Sequence, residues 1–357
     1  MLFRSRPVAT VDDSIVFFAT SRKGNTGNQT DEFGGFFSDV FFFTQNDSGR
    51  TKAKNMGMNI NSEFYDEPMS ITAAEDELYI YKETPEINGD IFVSQLKGKS
   101  FQKATALLGD QFKTKEYEYG GAVSPDGQWF VYSSDKKNKD KSEKGGRDLY
   151  ICQRNQNGTW SDGVNMGNIN TQFDEDFPMF FADGKTLFFA SKGHSSMGGF
   201  DIFMSNRPDE NSGWSSPVNI GFPLNTADDD KYFVLNPDAK TGYVSQVRDS
   251  GFGCLDVYRF KLAQPLLQSS LCVVKANVIV AASNSPSKNA RITITKKGTG
   301  SSMGDFFTNV TTGGFICVLP PGEYDVAIRT EKMGKFDDVL VVPENTLKLN
   351  YTFSLKQ

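Results

Sequence analysis

The residues able to do chemistry in this chain are carboxylates, and they recur in groups at comparable distances from Asn-x-Gly turns. Asp66-Glu67, Asp174-Glu175-Asp176 and Asp228-Asp229-Asp230 each follow such a turn. Their equivalent spacing predicts that they converge at one mouth of a central channel, where they would focus negative potential. Paired carboxylates serve glycoside hydrolysis, and hard cations take carboxylate oxygens. Neither chemistry is specified here, because acids are abundant and no EF-hand or comparable ligand spacing is present. The expectation is no catalytic residue, no metal and no cofactor, with these acids capping backbone amides in turns.

His194, the single histidine, lies in the Gly- and Ser-rich run from Ser191 to Gly199. Ser195 and Ser196 adjoin it, but no Gly-x-Ser-x-Gly elbow or orienting acid accompanies them, so an ordinary loop histidine is expected. The basic run Lys136, Lys137, Lys139, Lys141, Lys144 and Arg147 sits between two predicted strands. It reads as a solvated loop tip, with an anionic partner as the sharper alternative. Across 357 residues, 38 Lys and Arg face 44 Asp and Glu, a net charge of −6 that argues against a nucleic-acid partner. The four cysteines, Cys152, Cys254, Cys272 and Cys317, form no C-x-x-C pair. Cys152 and Cys254 are expected as buried thiols, whereas an intradomain disulfide is open to Cys272 and Cys317 in an oxidising compartment.

A repeat must position these groups. Asp39-Val40-Phe41, Asp90-Ile91-Phe92, Asp148-Leu149-Tyr150, Asp201-Ile202-Phe203 and Asp256-Val257-Tyr258 share one pattern, with steps of 51, 58, 53 and 55 residues. The leading aspartates, Asp39, Asp90, Asp148, Asp201 and Asp256, are expected to be structural, accepting backbone N–H groups of the turn before each strand. Upstream of each lies an aromatic or β-branched run preceded by an acidic turn such as Ser124-Pro125-Asp126-Gly127. A third motif, Asn55-Met56-Gly57, returns as Asn165-Met166-Gly167 and Asn219-Ile220-Gly221.

About four short strands per repeat of roughly 50 residues is a β-propeller blade. Residues 1–262 are therefore expected to form five blades in a closed ring, with Leu2 to Arg4 pairing beside the last blade; six blades is the alternative. Residues 263–270 read as a linker, and 271–357 as a small β-sandwich of short strands. No run approaches the roughly 18 apolar residues of a membrane helix. The opening Met1-Leu2-Phe3-Arg4-Ser5-Arg6-Pro7 lacks the features of a signal peptide, which implies a cytosolic chain or one whose export signal has been removed.

The Ser-Pro-Asp-Gly turn resembles those of TolB-type and WD-like propellers. Gly198-Gly199-Phe200-Asp201-Ile202-Phe203, together with Trp214 to Gly221 and Asn225-Thr226, is similar to the propeller of Bacteroidetes OmpA-family envelope proteins. Thr312-Gly313-Gly314-Phe315 and Leu319-Pro320-Pro321-Gly322-Glu323-Tyr324 resemble carboxypeptidase-regulatory-like domains, and the order of the two units resembles PorE-type subunits of type IX secretion. That resemblance implies a non-catalytic periplasmic scaffold, associated with the outer membrane in the full-length protein, that binds protein partners of the envelope or secretion machinery. It also implies that peptidoglycan is bound only through a C-terminal module outside this chain, and that this chain does not itself insert in a membrane. The alternative is a propeller glycoside hydrolase or carbohydrate-binding protein.

Overall fold

The computed structural model describes residues 5–46, 48–85, 87–109, 112, 116–137, 143–209, 212–248, 255–268, 271–309, 311–331 and 333–356. It is all-β and propeller-like. Five antiparallel sheets succeed one another, each with strands ordered outward from the innermost. The first holds Pro7–Ala9, Ile15–Thr20, Asp39–Asn46 and Lys54–Asn55; the second holds Tyr65–Ile71, Glu77–Thr84, Ile87–Lys97 and Thr105–Ala106. The third runs Glu118–Val123, Trp129–Ser134, Asp148–Gln153 and Val164–Asn165, and the fourth Glu175–Phe180, Thr186–Ser191, Asp201–Asn206 and Val218–Asn219. The fifth has Phe233–Leu235, Thr241–Gln246 and Asp256–Lys261, with no fourth strand among the described residues. All five innermost strands line one cavity, and the first sheet's innermost strand neighbours those of the second and fifth sheets.

The second strand of each of the first four sheets carries a continuous apolar or aromatic run because its sheet is packed on both faces. Thr186–Ser191 is buried at every position. The turns into these strands share one backbone device: Asp13, Glu75, Gly127, Gly184 and Ala239 occupy equivalent places, all with φ between 53° and 71°. An Asp beside this position fixes the turn, as where Asp183 Oδ1 accepts the N–H groups of Lys185 and Thr186.

Neighbouring sheets are wedged apart by aromatic side chains. Five residues before the matched end of the fourth strand stand Phe101, Trp160 and Trp214 in the second, third and fourth sheets. Each packs into the core shared with the sheet before it. At the same place the first sheet carries Arg50, which is exposed. Between the last and first sheets the contacts are polar: Tyr243 donates to Asp13 at 2.8 Å, Gln45 Nε2 donates to Tyr243 at 2.6 Å, and Arg259 pairs with Asp13 at 3.0 Å.

The expected strand at Leu2 to Arg4 lies outside the described residues. The N-terminal strand that is described, Pro7–Ala9, pairs with Ile15–Thr20 and so begins the first sheet. Beyond it, residues 272–355 make two four-stranded sheets that press their apolar faces on one core, including Val274, Cys317, Phe353, Ile292, Val326 and Leu340. Their strands alternate in burial, as in Gly314–Leu319, because the outer face is wet. Leu266 and Leu267 of the stretch expected as a linker, with Leu262 just before it, join Leu271 and Val318 against the fourth and fifth sheets.

The disulfide left open between Cys272 and Cys317 is not formed; both are free and buried. Cys272 stands opposite Leu319 and Cys317 opposite Val274, so the two are diagonal neighbours. Diagonal positions lie roughly 7–8 Å apart, beyond the usual disulfide reach. Cys152 is a buried thiol whose Sγ donates to the Phe130 carbonyl, as expected, while Cys254 lies outside the described residues.

Candidate functional site

Antiparallel order places two kinds of connection at one end of the five sheets: those joining second to third strands, and those leading from one sheet to the next. The repeated polar motifs gather there. Asp39 accepts the amide N–H of Thr26 and the side-chain NH₂ of Asn55, Asp148 those of Lys144 and Asn165, and Asp201 those of Met197 and Asn219. The next Asn of each motif completes the network. Asn170 Oδ1 accepts the Leu149 N–H at 2.8 Å, while its Nδ2 donates to the Leu149 carbonyl at 2.9 Å and to Asn165 Oδ1 at 3.0 Å. Asn61 and Asn225 repeat this around Val40 and Ile202. These aspartates therefore organise loops. Asp90 sits near Glu118, which hydrogen-bonds it, and burial raises its carboxyl pKa. Asp256 begins the third strand of the fifth sheet, as Asp39, Asp148 and Asp201 begin theirs.

The acidic clusters occupy the same end, and several of their carboxylates are capped by backbone N–H groups or paired with cations. Asp66, Glu175 and Asp230 turn back to cap their own connections, accepting the N–H groups of Ser62, Thr171 and Thr226. Asp66 is also paired with buried Lys82. Asp174 meets Arg147 at 3.2 Å and Lys192 at 3.1 Å; burial works against its ionisation, but these two cations bring its pKa below the usual carboxylate range. Asp176 is fully buried against Arg147 at 3.0 Å and accepts from Ser133. Asp229 pairs with Lys231 at 2.7 Å, Glu67 is buried, and Asp228 is exposed. Burial pushes the Glu175 carboxyl up to about 7 against the hydrogen bonds it receives from Thr171 and Ser191. Among the described residues no cluster suited to a metal occurs.

Most of the described basic loop is committed inward. Lys136 donates to Tyr132 Oη at 2.9 Å and lies over the Tyr150 ring, Lys144 donates to the Gly167 and Asn170 carbonyls, and Arg147 lies 4.5 Å from the Tyr119 ring centroid. A Cβ at Gly145 would sit 1.9 Å from the Phe173 carbonyl oxygen, so the close approach of these loops requires glycine there. Lys137 is exposed; Lys139 and Lys141 lie outside the described residues. His194 Nε2 bonds the Ile169 carbonyl oxygen at 2.8 Å beside the rings of Phe189 and Phe203, an ordinary loop role.

The cavity common to the innermost strands holds about 90 Å³, room for a handful of waters, between side chains such as Val8, Met69, Val123, Met179 and Leu235. At the acidic end Arg6 lies against the rings of Phe177 and Tyr232, a residue that sequence reasoning passed over because it precedes the first recognised repeat. Also missed were the apolar side chains this end exposes: Phe33, 73% exposed, Met58, Phe173, Met197 and Phe222, 82% exposed. The available signal was an apolar residue next to a turn glycine, as in Gly57-Met58 and Gly221-Phe222.

No protein-family model matches the chain, and no curated protein does. Solved structures similar to it include a TolB-type protein from Agrobacterium tumefaciens, at 14% identity and TM-score 0.41 over 89% of this chain and 90% of that one. A thermostable family-43 glycoside hydrolase is similar at 13% identity and TM-score 0.45, covering 72% of this chain and 89% of its own. The α-L-arabinofuranosidase PaAbf62A from Podospora anserina is similar at 12% identity and TM-score 0.46, covering 74% and 91%.

Proposed function

We propose that the chain is a non-catalytic scaffold of a bacterial cell envelope, built from a closed five-bladed propeller over residues 1–262 and a carboxypeptidase-regulatory-like sandwich over 271–357. Its work is protein binding at the end of the ring that carries Phe33, Met58, Phe173, Met197 and Phe222. One observation carries this reading: large apolar side chains stand exposed on several connections at that end, while most of the acids among them are engaged in loop capping and ion pairs. Exposed apolar groups on rigidly held loops are what a protein partner buries. Glycoside hydrolysis asks for an acid and a base or nucleophile facing one sugar across roughly 5–9.5 Å, whereas Asp66, Asp174 and Asp176 face cations of their own fold.

The periplasm, association with the outer membrane and a place in type IX secretion follow from the motif resemblance and belong to the same proposal. So does peptidoglycan binding through a separate C-terminal module. The test has two arms. Aryl glycosides incubated with the chain should show no turnover; turnover abolished by Asp176→Asn with folding intact overturns the scaffold reading. In the second arm, tagged chain expressed in its own host is cross-linked, and an envelope protein should be captured in stoichiometric amount by the native chain but not by a Phe33→Ser/Phe222→Ser variant. Equal capture by both places binding elsewhere.

A further inference from the structure

The ring is uneven at one interface, and its own repeats show what is missing there. In the first four sheets the residue after the fourth strand is a long aliphatic: Met56, Leu107, Met166 or Ile220. Its N–H donates to the carbonyl of the residue after the blade aspartate, respectively Val40, Ile91, Leu149 and Ile202. Its side chain joins the core between that sheet and the next, and those four partners are fully buried. In the fifth sheet the equivalent residue is Val257, which is only half-buried. Beside it, between the fifth and first sheets, lies a cleft of about 750 Å³. Phe18, Phe43, Tyr243 and Val257 line it, with Arg50 and Arg259 among its polar groups. Two absences open this cleft among the described residues: a fourth strand on Asp256–Lys261, and an aromatic wedge where Arg50 stands.

We infer that this seam is a docking site for an extended segment of a partner polypeptide, which adds as the fourth strand of the fifth sheet and fills the cleft. The segment's chemistry is set by the fourth strands of the first, third and fourth sheets: Asn, a long aliphatic and Gly, with a second aliphatic-Asn pair shortly after. By register its Asn lies opposite Tyr258, as Asn165 lies opposite Tyr150 and Asn219 opposite Phe203. There it reaches Asp256 as those asparagines reach Asp148 and Asp201. The following aliphatic donates its N–H to the Val257 carbonyl and covers the Val257 side chain. Strand addition of this kind draws affinity from main-chain hydrogen bonds and specificity from alternate side chains, and it removes an exposed sheet edge. The inference rests on the scaffold reading only in that a partner supplies the strand, and a chain that hydrolysed glycosides would bind the strand equally well.

The probe is a fluorescein-labelled peptide copying residues 163–171, titrated against the full chain by anisotropy. Saturable binding is expected, weakened about tenfold or more when the peptide's Asn-Met pair becomes Ala-Asp. Val257→Glu in the protein should weaken it comparably. Because that variant can disturb folding, hydrogen exchange on the native chain gives a second readout. The peptide should slow exchange of amides in residues 256–261 and leave the outer strands of the third and fourth sheets unchanged. Absence of binding, or protection elsewhere, overturns the inference. So does binding only to a chain lacking residues 1–4, which would make the N-terminus itself the occupant.

Discussion

Asn170 makes three hydrogen bonds with its side chain in a site 2% exposed, two of them to both main-chain groups of Leu149. Truncation to alanine strands a buried N–H and C=O, so Asn170→Ala should cost about 2 kcal/mol in urea unfolding. Asn61→Ala and Asn225→Ala should cost about the same, since their bonds are the same; a loss confined to one sheet would show that the networks are not equivalent. Glu75 is the opposite case. It holds φ 60°, its Oε1 is buried without a hydrogen-bond partner, and burial together with the Asp12 charge pushes its carboxyl up to about 7 despite Lys275. Between the unfolded value near 4.5 and about 7 the folded state keeps a proton that the unfolded state releases. Stability therefore falls as pH rises through that window and stays lowered above it. Glu75→Gly should gain about 1 kcal/mol at pH 4 from the backbone alone. At pH 8 it should gain roughly another 1 kcal/mol, after allowing for solvent screening of a half-buried carboxylate. Equal gains at both pH values in urea titrations would remove the carboxylate from the account.

At the scale of elements, the aromatic wedges decide how firmly adjacent sheets are held. Trp160 is 4% exposed between the second and third sheets, against Phe130, Leu107 and Phe112. Trp160→Ala should cost about 3–5 kcal/mol by leaving a cavity. Arg50→Ala, at the equivalent place in the first sheet, should cost under about 0.5 kcal/mol because the side chain is exposed. Thermal denaturation of the two variants side by side checks the contrast. Part of this was legible in the sequence. The Asp-aliphatic-aromatic repeat and its acidic turns are local, each strand obeying hydrogen-bonding and turn rules set within a few residues, so five sheets could be counted. Pro7–Ala9 was not legible, because a three-residue innermost strand buried on both faces has no alternation to betray it. Nor was the ion pairing of Asp174 and Asp176. Arg147 meets Asp174 and Asp176 across 27 and 29 positions of chain, and sequence shows like charges in clusters but not the opposite charges that folding brings beside them.

For the molecule as a whole, the decisive question is whether its two units melt together. A linker between them was expected from the loss of repeat texture after Lys261. Leu262, Leu266 and Leu267 pack against the fourth and fifth sheets. They do so at the place where earlier sheets carry their own aromatic wedges, so the connection finishes the interface between those sheets. Leu271, 6% exposed, and Val318 extend that core into the C-terminal sheets, and Lys275 reaches Asp12 on the first sheet's inner turn at 2.5 Å. The native chain is therefore expected to unfold in a single calorimetric transition. Leu271→Asp places a charge in this shared apolar core, where burial opposes ionisation. The C-terminal sheets keep a separate core around Val274, Phe353 and Ile292, and the propeller-like ring keeps its other inter-sheet cores. The variant should thus split the endotherm in two instead of lowering it uniformly. A uniformly lowered single peak would mean that the units are coupled through contacts other than this apolar junction, and two peaks in the native chain would mean that the junction does not couple them at all.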